Sequence, residues 1–238
     1  MIKTIGLGKR CADKTRDQAQ QYHIDHHAPF GKRVAQPLGM LRYVGYYPQS
    51  ATTMAGDAID IPWDFIVPEY FTDEFFNNIE QWRENDPDGR EITIDEARFC
   101  DRGAGVIMVC DDNEIVPDSG RDGVNIFFGA RRAEGLEPRD YHEKHRTVIA
   151  PWAKRVYGEM LLDYRAYYVR EAYNLEQGLM PEAPYDAMVQ ARFDPAVMGD
   201  MAAWMARPDV IELLHEEAKF TDTGTLVSMV CRYQPYIL

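Results

Sequence analysis

Three histidines crowd one short stretch, Tyr22-His23-Ile24-Asp25-His26-His27-Ala28-Pro29, in a chain of 238 residues that carries six histidines in all. Imidazole is the side chain whose charge changes near neutrality, so this cluster is a candidate for acid–base chemistry. On a helix His23 and His27, four apart, share a face with Ala19 and Phe30. The same spacing suits two metal ligands, but no carboxylate or orienting partner for a zinc site is identifiable, and no metal is expected. The plainer alternative is a histidine pair bonded to backbone. Tyrosine is the other enriched polar group. Tyr43 and Tyr47 fall on one face of an alternating segment and Tyr46 on the other, a pattern repeated by Tyr164, Tyr168 and Tyr167. A phenol can donate to a developing oxyanion or stack on an aromatic ligand. Glu69 stands alone on the otherwise apolar parity Trp63, Phe65, Val67, Phe71. Facing a cavity, its carboxyl would be driven upward in pKa and become a usable acid or base; a bulge at Pro68 turning it outward is the alternative.

These residues sit in a pattern written twice. A shift of 122 residues carries Ala28-Pro29-Phe30-Gly31-Lys32-Arg33-Val34 onto Ala150-Pro151-Trp152-Ala153-Lys154-Arg155-Val156, and Ile2 to Arg10 onto Val124 to Arg132. With single-residue slips the match continues through Pro62-Trp63-Asp64 on Pro184-Tyr185-Asp186, Trp82 on Trp204, and Phe99-Cys100-Asp101-Arg102-Gly103 on Phe220-Thr221-Asp222-Thr223-Gly224. Ordered matches on this scale identify an internal duplication. Each copy reads β-α-β-β-α-β. Thr15 to Gln18 has capping-box form, and Pro138 opens the second copy's first helix. Pro29 and Pro151 must kink or restart that helix. Strands are expected near 41–47, 63–71, 162–169 and 185–193, helices near 72–84 and 194–206, and closing strands at 104–110 and 225–233. The first half is thus residues 1–110, the linker 111–123 and the second half 124–238.

Both faces of these strands are apolar. An isolated half would expose a large patch, so the two sheets are expected to pack face to face with the cavity between them. Phe65 opposite Ala187 makes that pocket larger on the second side. The loops 48–61 and 170–183 match poorly between copies although their flanks match well, and at least one is expected to cover a cavity mouth. The net charge of −13 disfavours nucleic acid and anionic membrane as partners. Four cysteines without CxxC spacing read as reduced thiols. No signal peptide or spanning segment is seen, which leads to the expectation of a soluble, cytoplasmic protein.

The His-Ala-Pro run at 27–29, its place on a kinked helix after a short strand, the tyrosine-bearing second strand and the Phe-x-Asp-x-Gly element together resemble the EthD group of the dimeric α+β barrel superfamily. The resemblance covers most of each half. It implies an α+β fold in which two fused ferredoxin-like (βαββαβ) halves form a single-chain dimeric α+β barrel. It also implies an activity from a superfamily that hosts cofactor-independent cyclases, decarboxylases, dehydratases, isomerases and lyases on aromatic or polyketide-like molecules, and some haem enzymes.

The two copies can be compared with each other. His23 recurs as His145, but His26 faces Val148 and His27 faces Ile149, so a private role falls most sharply on His27. The expectation is a lyase without cofactor, with His27, His23, Tyr47 and Glu69 catalytic and Tyr46, Tyr168 and Phe65 binding an aromatic small molecule. Its reaction would be decarboxylation, retro-aldol loss of a small carbonyl such as formaldehyde, or dehydration. Haem ligation by His27 and non-catalytic aromatic binding are the alternatives. Asp64 and Asp186 read as structural; His142 and His145 read as a solvated helical face, and His215, opposite Ile94, is given no functional role either. Pairing with a second copy as a homodimer is left open.

Overall fold

Alternating strands whose two faces are both apolar must bury both, and the chain does so by closing a ring. The structure, a computed structural model, describes residues 1–198, 203 and 206–237. The first half contains β1 (Ile2–Gly8), α1 (Arg16–Tyr22), α2 (Ala28–Ala35), β2 (Met40–Thr53), the short β3 (Ala58–Ile59), β4 (Phe65–Phe71), α3 (Asp73–Asn85), α4 (Pro87–Glu96) and β5 (Val106–Val116). The second contains β6 (Val124–Arg132), α5 (Pro138–Lys144), α6 (Ala150–Tyr157), β7 (Leu161–Asn174), β8 (Gly178–Leu179), β9 (Ala187–Phe193), α7 (Pro195–Met198), α8 (Pro208–Glu217) and β10 (Thr221–Ile237). The expected helix at 194–206 and the Trp204 match lie partly outside the described residues.

Within each half the strand order, β5-β1-β4-β2 and β10-β6-β9-β7, is ferredoxin-like and antiparallel. The halves then join edge to edge, β5 on β7 and β10 on β2, so a ring of eight long strands closes with no free edge. This is the expected single-chain dimeric α+β barrel. β5 continues to Val116 and pairs with β7 as far as Tyr164, so the first part of the segment read as a linker is strand.

The lumen corrects one expectation. It is filled by side chains of both halves, among them Ile5, Tyr46, Phe127, Tyr167, Met188 and Met229. Tyr46 and Phe127 meet edge to face at 4.7 Å. Among the described residues the space between the sheets is thus taken up by packed side chains. The helices instead cover the outside of the ring, each half making its own helix-on-sheet core.

The helix containing the histidines runs on through Pro29 and Pro151 but loses its regular period just before them. Proline has no amide to donate to the carbonyl four residues back, and the chain takes a wider π turn just before it, with the Ala28 amide reaching the His23 carbonyl and the Ala150 amide reaching that of His145. A second helix, α4, stands where the sequence suggested only one. Asp86 caps it by accepting from the amides of Asp88 and Gly89, with Pro87 at its first position. No helix among the described residues is long and apolar enough to cross a membrane.

Because the lumen is shared, Phe127→Ala should lower the unfolding free energy by about 3–5 kcal/mol, in one cooperative urea transition. Two transitions, one per half, would show that the lumen does not couple them.

Candidate active site

On β1 the residues turned outward, under the helices, are Thr4, Gly6 and Gly8, while Ile5 and Leu7 fill the lumen. Three small residues in alternation leave the helix layer nothing to rest on, and a cavity of about 690 Å³ opens between β1, β2, β4 and helices α2, α3 and α4. At the corresponding places the second half has Ile126, Phe128 and Ala130. There Ile126 and Phe128 join a helix-side cluster that also takes in Ile149 and Ala191. The expectation of a pocket larger on the second side is thus reversed. A Cβ built on Gly6 meets nothing nearer than Val67 at 3.7 Å, so the position is open rather than sterically obliged to be glycine.

The π turn aims His23 and His27 inward, their rings 5.3 Å apart, and both border the cavity. It also changes the face that follows. Gly31, rather than Phe30, continues the buried side, and Phe30 lies beneath the Arg33 guanidinium. His27 Nδ1 lies 2.9 Å from Asp95 Oδ2 on α4. The other Asp95 oxygen accepts from the Tyr22 hydroxyl at 2.6 Å and from Arg98 at 3.2 Å. The bond from His27 and that from Tyr22 hold the Asp95 carboxyl at about 2 despite its burial, so it stays ionised. A carboxylate on Nδ1 fixes the tautomer that leaves Nε2 as a base.

His23 is held differently. Its Nδ1 lies 2.8 Å from the Tyr47 hydroxyl and its Nε2 3.2 Å from the Tyr43 hydroxyl. Tyr47 in turn meets Tyr236, from the second half's β10, at 2.5 Å. Tyr47 folds across Gly45, where a Cβ would come within 2.5 Å of the tyrosine hydroxyl. Burial pushes His23 well below, and Tyr43 well above, their ordinary pKa values, so both are neutral at physiological pH.

Glu69 lies opposite Thr4 and Tyr43 in the strand register and faces the cavity; Pro68 does not turn it away. Burial raises its carboxyl to about 7. Arg83, Glu96 and Arg102 form an ion-paired cluster at the same end. The walls are apolar, among them Phe65, Val67, Phe71, Phe75 and Ile92. The second half's β7–β8 hairpin supplies Tyr173 to Leu175 and Leu179 to the rim, and Arg102 donates to its Leu175 carbonyl at 3.1 Å. Of the two divergent loops, 170–183 therefore covers this cavity.

Of the residues singled out from sequence, His27, His23, Glu69 and Phe65 border one cavity. Tyr47 stands behind His23, bonded to it. Tyr46 and Tyr168 are elsewhere, which corrects their expected ligand contacts. Tyr46 points into the lumen, and Tyr168 bonds His145 at 3.1 Å beneath Arg146 in the second half. His145 is likewise buried, not solvated. That pair repeats the His23–Tyr47 bond where no histidine like His27 follows, which marks the His23–Tyr47 contact as shared architecture. Asp64 and Asp186 both anchor arginines, Arg10 and Arg132, as structural residues do. Asp95 and Arg83 were not singled out, and Tyr43, noted among the strand tyrosines, borders the cavity as well. Asp95 becomes visible only when α4 folds back on the π turn.

The family model described as the EthD domain matches residues 12–103 and again 133–224. A solved structure from Lactobacillus acidophilus NCFM, provisionally described as a monooxygenase, superposes with a TM-score of 0.54 at 8% identity, covering 100% of this chain and 98% of that one. One from Fusobacterium nucleatum, described in the same way, does so with a TM-score of 0.54 at 10% identity, covering 100% and 97%. Chlorite dismutase from Candidatus Nitrospira defluvii gives 0.46 at 10% identity, covering 97% and 90%. No curated protein matches significantly in sequence.

Two outcomes are expected. Gly6→Phe, copying Phe128, should keep the thermal midpoint within a few degrees while abolishing binding of aromatic ligands, measured by fluorescence titration. Burial holds His145 at about 4, below its unfolded value near 6.5. The unfolded chain takes up that proton first, so stability should fall between about pH 6.5 and 4, by up to about 3 kcal/mol. His145→Gln should shallow that slope in urea titrations; an unchanged slope would contradict the assignment.

Proposed function

Since this chain belongs to the EthD family, we propose that it is a small-molecule enzyme and, more finely, a lyase that works on a phenolic or polyketide-like substrate by acid–base chemistry of its own side chains. The observation that carries the reading is the His27–Asp95 pair, set at the edge of an apolar cavity with Nε2 left over for substrate. Nε2 takes a proton from a phenol or enolisable position. The charge so formed drives cleavage of a C–C or C–O bond, with loss of carbon dioxide, a small carbonyl or water. Tyr43 faces the developing oxyanion. With the hydrogen on His23 Nε2 donated to the Tyr43 oxygen, Tyr236 and Tyr47 donate toward His23 Nδ1, and the Tyr43 hydrogen is free to enter the cavity. Glu69, poised near 7, returns a proton to the carbon or leaving group. The apolar walls exclude water from the anionic intermediate.

A haem enzyme on the same scaffold is the second reading, favoured by one feature: a histidine whose far nitrogen is anchored by a carboxylate is also a good metal ligand. The cavity suits the group poorly. Arg83 and Arg102 share the single carboxylate of Glu96, which leaves one positive charge for the two propionates of a haem.

His27→Ile should leave the fold intact, since Ile149 occupies the equivalent place in the second half, and lower turnover by about 10²-fold or more. The assay is release of formaldehyde, carbon dioxide or water from a panel of phenolic diols, β-keto acids and β-hydroxy ketones. Equal activity of the variant on a substrate the parent turns over would remove His27 from the chemistry. A Soret band in haemin-treated protein that His27→Ile abolishes would move the reading to haem.

A further inference from the structure

The charged end of the cavity is not explained by the acid–base pair. Arg83, on α3, directs its terminal nitrogens to Glu96 at 3.4 Å each, and Arg102 binds the same carboxylate. Arg83 Nε is shut off from bulk water and has no hydrogen-bond partner. A buried donor left unpaired is costly, and a buried guanidinium sharing its counter-charge with a second one is more so. Two cations on one anion leave a surplus positive charge inside a chain whose net charge is −13. Glu80, also on α3, is exposed at the cavity rim.

We propose that this end of the cavity receives a single carboxylate of the substrate, with Arg83 as its principal partner. The inference rests on the reading of the cavity as an aromatic substrate site, and it names the class: aromatic monocarboxylates. A carboxylate is planar and matches the fork of donors on a guanidinium, and burial makes such a bond stronger than it would be in water. The groups that face Glu69 are Thr4 on β1, Tyr43 on β2, Arg83 on α3 and Glu96 on α4. Protonated, Glu69 donates to the bound carboxylate; ionised, it repels it. Its carboxyl, raised to about 7, makes the change fall near neutrality. Carboxylate affinity should therefore decline as pH rises through 7. Glu69 is Ala191 in the second half, so this charged end accompanies the cavity rather than the scaffold. A carboxylate so anchored is stabilised before reaction as much as during it, so it serves for positioning and is not the group lost.

The test is fluorescence titration of the full chain with 2-naphthoate and its neutral analogue 2-naphthamide at pH 6.5. The expected result is at least about tenfold tighter binding of the carboxylate, as one desolvated charge-assisted hydrogen bond supplies. Arg83→Met leaves Glu96 paired one to one with Arg102, so the surplus charge goes and no charge is orphaned; it should bring the two affinities within about twofold. Glu69→Gln should flatten the decline above pH 7. Equal affinities in the parent protein would overturn the carboxylate site while leaving the aromatic cavity standing. Failure of both probes to bind at millimolar concentration would overturn both together.

Discussion

Close packing of the barrel lumen is the constraint on which everything else in this protein depends. Eight strands bring side chains of both halves into one interior, and Tyr46, Phe127, Tyr167 and Met188 fill it. With the lumen occupied, an enclosed space for a ligand can form only outside the ring, beneath the helices. It forms where the strand surface is too small to meet the helix above it. Thr4, Gly6 and Gly8 provide that in one half; Ile126 and Phe128 deny it in the other.

Duplication makes this division of labour possible. One half can lose its cavity without loss of the fold, because the closure of the barrel relies on strand edges and lumen side chains that both halves keep. The second half then serves the first. β10 brings Tyr236 to the Tyr47 hydroxyl, and the β7–β8 hairpin forms part of the cavity rim. A site that is complete only with pieces from both repeats ties them into one functional unit, as the shared lumen ties them into one folding unit.

The polar groups around the cavity fall into two sets with different physics. His23, Tyr43 and Tyr47 are neutral partners whose hydrogen bonds satisfy one another, and the His23–Tyr47 contact recurs as His145–Tyr168. His27 with the Asp95 carboxylate behind it, and the ion-paired Arg83–Glu96–Arg102 cluster, border the cavity and do not recur as groups. Burying ions is expensive, and the Lys3–Asp112–Arg165 and Arg10–Asp64–Arg16 groups show that the fold also does so away from this cavity.

Local chemistry and repetition determined much of this from the sequence alone. The two-copy βαββαβ plan, the disturbance of the helix at Pro29 and Pro151, the private status of His27 and the parity that puts Glu69 with Phe65 all follow from spacing, from proline's missing amide and from alternation along strands. What only the tertiary structure decided is where the empty space lies and which distant groups meet in it. Both strand faces were apolar, and apolarity alone does not distinguish a filled lumen from a roofed cavity; side-chain volumes summed across strands do. Asp95 is 68 residues from His27 and met it only because α4, opened by an Asp-Pro step that also reads as a turn, folds back on the π turn. The π turn itself moved the buried face from Phe30 to Gly31, a rotation no regular helical period would predict, because its extra residue per turn is imposed by a proline that cannot donate.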